Sequence, residues 1–145
     1  MNGKMLAKKI LRMGYYWTTM ETNCINFVKC CHDCQTHTNL NHVPLSELPF
    51  SMWGIDVIGR IAPKVSNGHE YILLAINCFT KWVEATSFFV SNAKHVARFI
   101  KNNIICQFGV PQEIISNNGS HFKGEVQMIM ELYKIEHYKS LPYWS

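Results

Sequence analysis

The chain has 145 residues, 48% hydrophobic and 17% charged, a balance that suits one ordinary domain, or a small one joined to a medium one, and excludes a disordered polyelectrolyte. The formal charge of +4 permits a polyanionic partner without requiring one. The longest apolar run, Tyr71 to Ile76, is too short to cross a bilayer and the start has no signal-peptide pattern, so a nuclear or cytoplasmic protein is expected, not secreted and with no membrane partner.

Lys4, Lys8 and Arg12 at helical spacing, with Leu6 and Ile10 on another face, predict a short amphipathic helix over residues 4–13 that Gly14 ends. After Tyr15-Tyr16-Trp17, the run Thr18-Thr19-Met20-Glu21 has the form of a capping box opening a second helix to about Lys29. This unit is too small to be stable without help. Cys24, Cys30, Cys31 and Cys34 crowd into eleven residues and read as metal chemistry, whereas Cys78 and Cys106 stand alone in apolar segments and read as small buried hydrophobes. From Gln35 to about Phe50 the chain is polar, with Pro44 and Pro49 and no periodicity. The boundary belongs there: residues 1–38 form one unit, 39–50 a linker and 51–145 a second unit.

Met52 to Ile58 reads as a strand closed by Gly59, and Asn67-Gly68 as the tip of a turn. Tyr71 to Asn77, nearly all apolar, is an interior strand, and Trp82 to Phe89 a third, giving an antiparallel meander. Ser91 or Asn92 caps a long helix with Val96, Phe99, Ile100 and Ile104 on its buried stripe, stopped by Gly109 and Pro111. Glu113 to Ser116 is a fourth strand, Phe122 to Tyr133 contains another helix, and Ile135 to Lys139 is a fifth strand. The order βββαβαβ is mixed α/β, a hairpin sheet extended by parallel crossover strands.

Three places carry candidate chemistry. Cys31-His32-Asp33-Cys34 is a CxxC knuckle: two thiolates can serve one tetrahedral zinc ion, with two ligands still to be found, or form a redox pair. Asp56 lies in the apolar strand Trp53-Gly54-Ile55-Asp56-Val57-Ile58-Gly59, where a carboxylate must be paired, hydrogen-bonded or metal-bound. Ile115-Ser116-Asn117-Asn118-Gly119 ends a strand; on spacing alone it is a good turn.

The blocks GYYWTTM…CINFVKCCHDCQ, WGIDVIG, YILLAINCFTKWVEA, FGVPQEIISNNGSHF and IEHYKSLPY, in this order and at these intervals, resemble the integrase segment of gypsy-type long-terminal-repeat retrotransposon polyproteins, particularly those of plants. The resemblance implies the end of a zinc-binding domain with two His and two Cys ligands, followed by a ribonuclease-H-like core. It also implies an Asp, Asp, Glu triad that holds two Mg²⁺ or Mn²⁺ ions for DNA strand transfer. Cys31 and Cys34 then match the zinc cysteines, with the histidines expected upstream of Met1, so the zinc site is incomplete. Asp56 matches the first catalytic and metal-binding Asp. Asn117 stands where the pattern SDNG has its second Asp, and the Glu is expected on a helix beyond Ser145, since Glu131 and Glu136 come too early.

Asn118 and Gly119 are implied nucleic-acid contacts. Asn77-Cys78 in place of the usual DY, and Arg60 in place of Pro, read as drift. DNA and further copies of the chain are the implied partners, and no small-molecule substrate is expected. The resemblance therefore points to an integrase fragment that is catalytically silent as it stands. A host-retained DNA-binding or dimerising module, using Lys4, Lys8, Lys9 and Arg12, is the competing reading; those cations otherwise form a solvated helix face. A clipped view of an active element is a third.

Overall fold

A computed structural model of the chain describes residues 2–29, 50–90, 92–117 and 119–139. Helix α1 spans Gly3–Arg12, its first turn closed by the Asn2 side chain, which accepts from the Met5 N–H at 2.9 Å. Helix α2 covers residues 20–29, and at its start Asn23 Oδ1 accepts from the Thr19 hydroxyl and the Trp17 indole, both at 2.9 Å. Gly3 is where the two helices cross: a Cβ on it would lie 2.3 Å from the Ile25 Cα, so only glycine allows this approach.

Five strands follow: β1 (Met52–Ile58), β2 (Tyr71–Asn77), β3 (Val83–Phe88), β4 (Glu113–Ser116) and β5 (Glu136–Lys139). They form one sheet in the order β3-β2-β1-β4-β5. The first three are an antiparallel meander with Asp56 opposite Leu74; β4 runs parallel to β1 and β5 parallel to β4. This is the expected mixed sheet of a ribonuclease-H-like core preceded by a helical segment.

The predicted long helix is divided. Asn92 caps α3 (Ala93–Phe99) by accepting from the His95 N–H, a π-helical stretch occupies Ile100–Ile105, and α4 (Cys106–Phe108) completes it. Uniform 3.6 periodicity gave no sign of this interruption. Cys106 is exposed, not buried as expected, because it lies on the far side of the helix from the buried Ile104. A 3₁₀ turn at Ser120–Phe122 leads into α5 (Glu125–Leu132).

The inner strands are apolar on both faces, and each face has its own cover. Trp53, Ile55, Leu73, Ala75 and Ile114 pack against α3, the π-helical stretch and α5, including Val96, Ile100, Ile104 and Val126. On the opposite face Met52, Ile72, Leu74, Ile76 and Ile115 join Leu6, Ile10, Trp17, Met20, Cys24 and Phe27 in a single cluster. The help that α1 and α2 need to be stable is therefore the sheet itself. Polar ties add to it: Ser66 N–H donates to the Tyr16 carbonyl at 2.8 Å, and Lys9 Nζ to the Lys81 carbonyl at 3.3 Å. The linker proposed at 39–50 falls almost entirely outside the described residues.

Because the helices and the sheet share a core, Trp17→Ala, at a side chain only 1% exposed, should destabilise the whole chain by about 3–5 kcal/mol. Urea unfolding followed by far-UV circular dichroism should show one transition moved to lower urea. A sheet transition that stayed in place would show that residues 3–29 fold separately.

Candidate functional site

Asp56 is the fifth residue of β1, and Asn117 follows the last residue of β4, the neighbouring parallel strand. Side chains alternate across a strand, so Asp56 projects to the face that carries α1 and α2. The two sequence-predicted residues meet there: Asn117 Nδ2 donates to Asp56 Oδ1 at 2.9 Å. The same carboxylate oxygen accepts from the Val57 N–H at 2.8 Å. Burial pushes the Asp56 carboxyl up to about 7, against the Val57 N–H, which favours the charged form.

The other end of the Asn117 carboxamide is also fixed. Its Oδ1 accepts from the Gly119 N–H at 2.8 Å, and a Cβ on Gly119 would stand 2.9 Å from that oxygen. Glycine at 119 thus permits the turn to close on Asn117, which orients the amide so that its N–H points to Asp56. Asn118 lies outside the described residues, as do Cys31 and Cys34.

Behind the turn, the buried Ser116 hydroxyl is hydrogen-bonded to His137 Nε2 on β5 and lies 2.9 Å from the Asn117 carbonyl. Burial, and secondarily Lys139, pull His137 down to about 4, so its ring stays neutral. Sequence reasoning did not single out this pair, because residues 21 apart become neighbours only through the parallel pairing of β4 with β5.

Nor did it anticipate the wall of the site. A cleft of about 190 Å³ in front of Asp56 is lined by Val57, Ile58 and Gly59 from the sheet side and by Asn23, Asn26 and Phe27 of α2. The apolar spacing Met20, Cys24, Phe27 did signal a buried stripe, but nothing local said which surface it would meet. Cys24 itself is a core residue. It packs in the cluster that α1 and α2 share with the sheet, and burial pushes its thiol up to about 12.

Asn77 is likewise no idle departure. Fully buried, it accepts from Phe79 N–H, Thr80 N–H and the Thr80 hydroxyl, and donates to the Met52 carbonyl at 3.3 Å. A carboxylate could supply the acceptor half of that network but not the donated bond.

A pair of divalent cations needs several anionic oxygens around one point. Among the described residues the donor set is one carboxylate, and the group beside it presents N–H hydrogens to that carboxylate rather than a second anionic oxygen. Among the described residues no three His, Cys, Asp or Glu side chains converge as a metal site. These residues do not fit a two-metal centre.

The opposed titrations give a pH test. Folded Asp56 keeps its proton to about 7 while the unfolded carboxyl releases it near 3.8, so its contribution to stability falls as pH rises across that window. Folded His137 stays neutral down to about 4 while the unfolded ring protonates near 6.5, so its contribution falls as pH drops. Between about 4 and 6.5 the two slopes oppose. Asp56→Asn removes the first, and its Tm should fall more steeply than wild type on acidification from 6.5 to 4; parallel Tm profiles would contradict the assignment.

Residues 46–145 match the family model described as Integrase core domain. Gypsy retrotransposon integrase-like protein 1 of Mus musculus is 27% identical over 132 residues, which covers 87% of this chain and 25% of that protein. The protein of the same name in Homo sapiens is 26% identical over 132 residues, with 87% and 24% covered. The Transposon Tf2-3 polyprotein of Schizosaccharomyces pombe is 27% identical over 132 residues, with 85% and 10% covered. The chain thus spans a quarter or less of the length of these relatives. In fold it is similar to a chain of the simian T-cell lymphotropic virus intasome in complex with PP2A regulatory subunit B56 gamma. There the TM-score is 0.57 at 20% identity, over 70% of this chain and 36% of that one.

Proposed function

This chain belongs to the integrase core domain family, in its gypsy retrotransposon branch, and we propose that it is an integrase-derived piece that associates with nucleic acid but transfers no DNA strand as it stands. The observation that carries the proposal is the bond from Asn117 Nδ2 to Asp56 Oδ1. Integrase cores use divalent metals, and strand transfer needs anionic ligands that hold two cations at the reacting phosphate. At position 117 an amide supplies a neutral oxygen that Gly119 already uses and N–H groups turned toward Asp56, the one carboxylate that the described residues bring to the site. Mg²⁺ or Mn²⁺ is then held weakly, by Asp56 alone.

The remaining features of the reading follow the family. DNA and further copies of the chain are its proposed partners, by likeness to the intasome neighbour, and Asn118 and Gly119 its proposed contacts beside the site. Cys31 and Cys34 are proposed as half of a tetrahedral zinc set. Residues 1–38 and 51–145 remain the proposed units of sequence, and a nuclear or cytoplasmic location the proposed one. A non-enzymatic binding or dimerising module retained by a host is the second reading, favoured by the cations that α1 presents without acidic partners in its own sequence.

The test is a strand-transfer assay with the purified chain and a recessed duplex end in Mg²⁺ or Mn²⁺, together with thermal melting. Wild type should give no product above background and a Tm that the ions do not move. Asn117→Asp should acquire a rise in Tm that depends on the divalent ion. Product from wild type would sink the proposal.

A further inference from the structure

We propose that the outward edge of α1, through Lys4, Lys8 and Arg12, is the main nucleic-acid surface of this chain, with the Asn118-Gly119 turn a lesser contact and the cleft at Asp56 unused. The proposal rests on the reading above that the chain binds nucleic acid, and it specifies where.

The inward side of α1 is fixed. Gly3, Leu6, Ala7 and Ile10 are buried against α2 and the sheet. At 100° per residue, Lys8 and Arg12 point directly away from that stripe, with Lys4 beside them. All three are exposed. Steps of four residues rise about 6 Å each, so the row is about 12 Å long, a length over which one strand of a duplex presents about three phosphates. Lys9 lies to one side of the row, its Nζ donating to the Lys81 carbonyl.

The charge is concentrated here. Helix α1 holds Lys4, Lys8, Lys9 and Arg12 with no acid, while the other ten Lys and Arg of the chain match its ten Asp and Glu. The net charge of +4 is therefore the charge of this one helix. Ion pairs among the described residues join Arg60 and Lys64 to Glu70, away from α1. Glu84 on β3, the strand nearest α1, turns to the other face, where it accepts from Trp82 and Asn103. Glu21 on α2 is exposed and pairs with none of these cations among the described residues.

The cleft offers the opposite. Its described lining contains Asp56 and no cation, and α2 narrows it to about 190 Å³, below the roughly 300–1,000 Å³ of ordinary ligand sites. Helix α2 is held in place by Met20, Cys24 and Phe27 in the shared core. A lipid surface is disfavoured for a separate reason. An amphipathic helix binds a bilayer with its apolar face, and that face of α1 is consumed by the sheet, so that Met5 and Leu11 are the exposed large apolar residues left on the helix.

The experiment is a fluorescence-anisotropy titration of the full chain with a labelled duplex of arbitrary sequence at stepped salt. Wild type should bind at low salt, with log K falling linearly against log salt. Lys4→Gln/Lys8→Gln/Arg12→Gln should weaken binding at least tenfold and reduce the slope by about 3, at about 0.9 per phosphate contact. The charge-reversed triple to Glu should abolish binding, with circular dichroism confirming that both variants fold. Asn26→Glu, which adds charge to the cleft, should leave the affinity within twofold. If wild type binds and the α1 triples match it, or if Asn26→Glu alone weakens binding, the surface assigned here is wrong while nucleic-acid association stands. If wild type does not bind duplex at low salt, or binds only phosphatidylserine vesicles, the functional reading fails and this inference with it.

Discussion

A sheet whose inner strands are apolar on both faces must be covered twice, and most of this structure follows from how the chain meets that demand. Leu73 and Ala75 of β2 face α3 and α5, while Ile72, Leu74 and Ile76 of the same strand face α1 and α2. Leaving either set in water would forfeit on the order of 2 kcal/mol for each large aliphatic side chain. The second cover cannot be optional, and it fixes two further things. It places α2 along the cleft before Asp56, and it turns the cationic side of α1 outward.

Against that scaffold the site is small and self-satisfied. A buried carboxylate in an apolar strand must be matched, and in a two-metal centre the match is cationic charge. Here it is made by two N–H donors, from Val57 and Asn117, with Gly119 holding the far end of the amide. Such a pairing gives the carboxylate hydrogen bonds without full charge compensation. That is why burial still pushes Asp56 up to about 7. An amide at position 117 also spares the fold a second negative charge beside a buried carboxylate.

The sheet was legible because its signals are local: an apolar run bounded by Asn67-Gly68, and a helix stopped by Gly109 and Pro111. Asp56 and Asn117 were legible through the pattern around them. What could not be read depended on contacts far apart in the chain. The stripe Met20, Cys24, Phe27 announced that something would be buried, yet the crowding of Cys24 with three other cysteines suggested metal ligation instead. The π-helical stretch at Ile100–Ile105 escaped because its residues keep an ordinary apolar spacing, and Cys106 was misplaced with it. The pairing of Ser116 with His137 required the β4–β5 register, which no turn signal specifies.

The two halves of the molecule therefore carry separate properties. The charge beside Asp56 is set at position 117, by an amide that Asp56 and Gly119 hold at the edge of the core. What attraction for a polyanion requires is concentrated on α1, whose inner face is indispensable to the core. The first rests on one partly buried side chain, whereas the second lies on a helix whose inner face covers the sheet. The cations themselves are exposed and take no part in that packing, so the fold places them on one edge without depending on their charge.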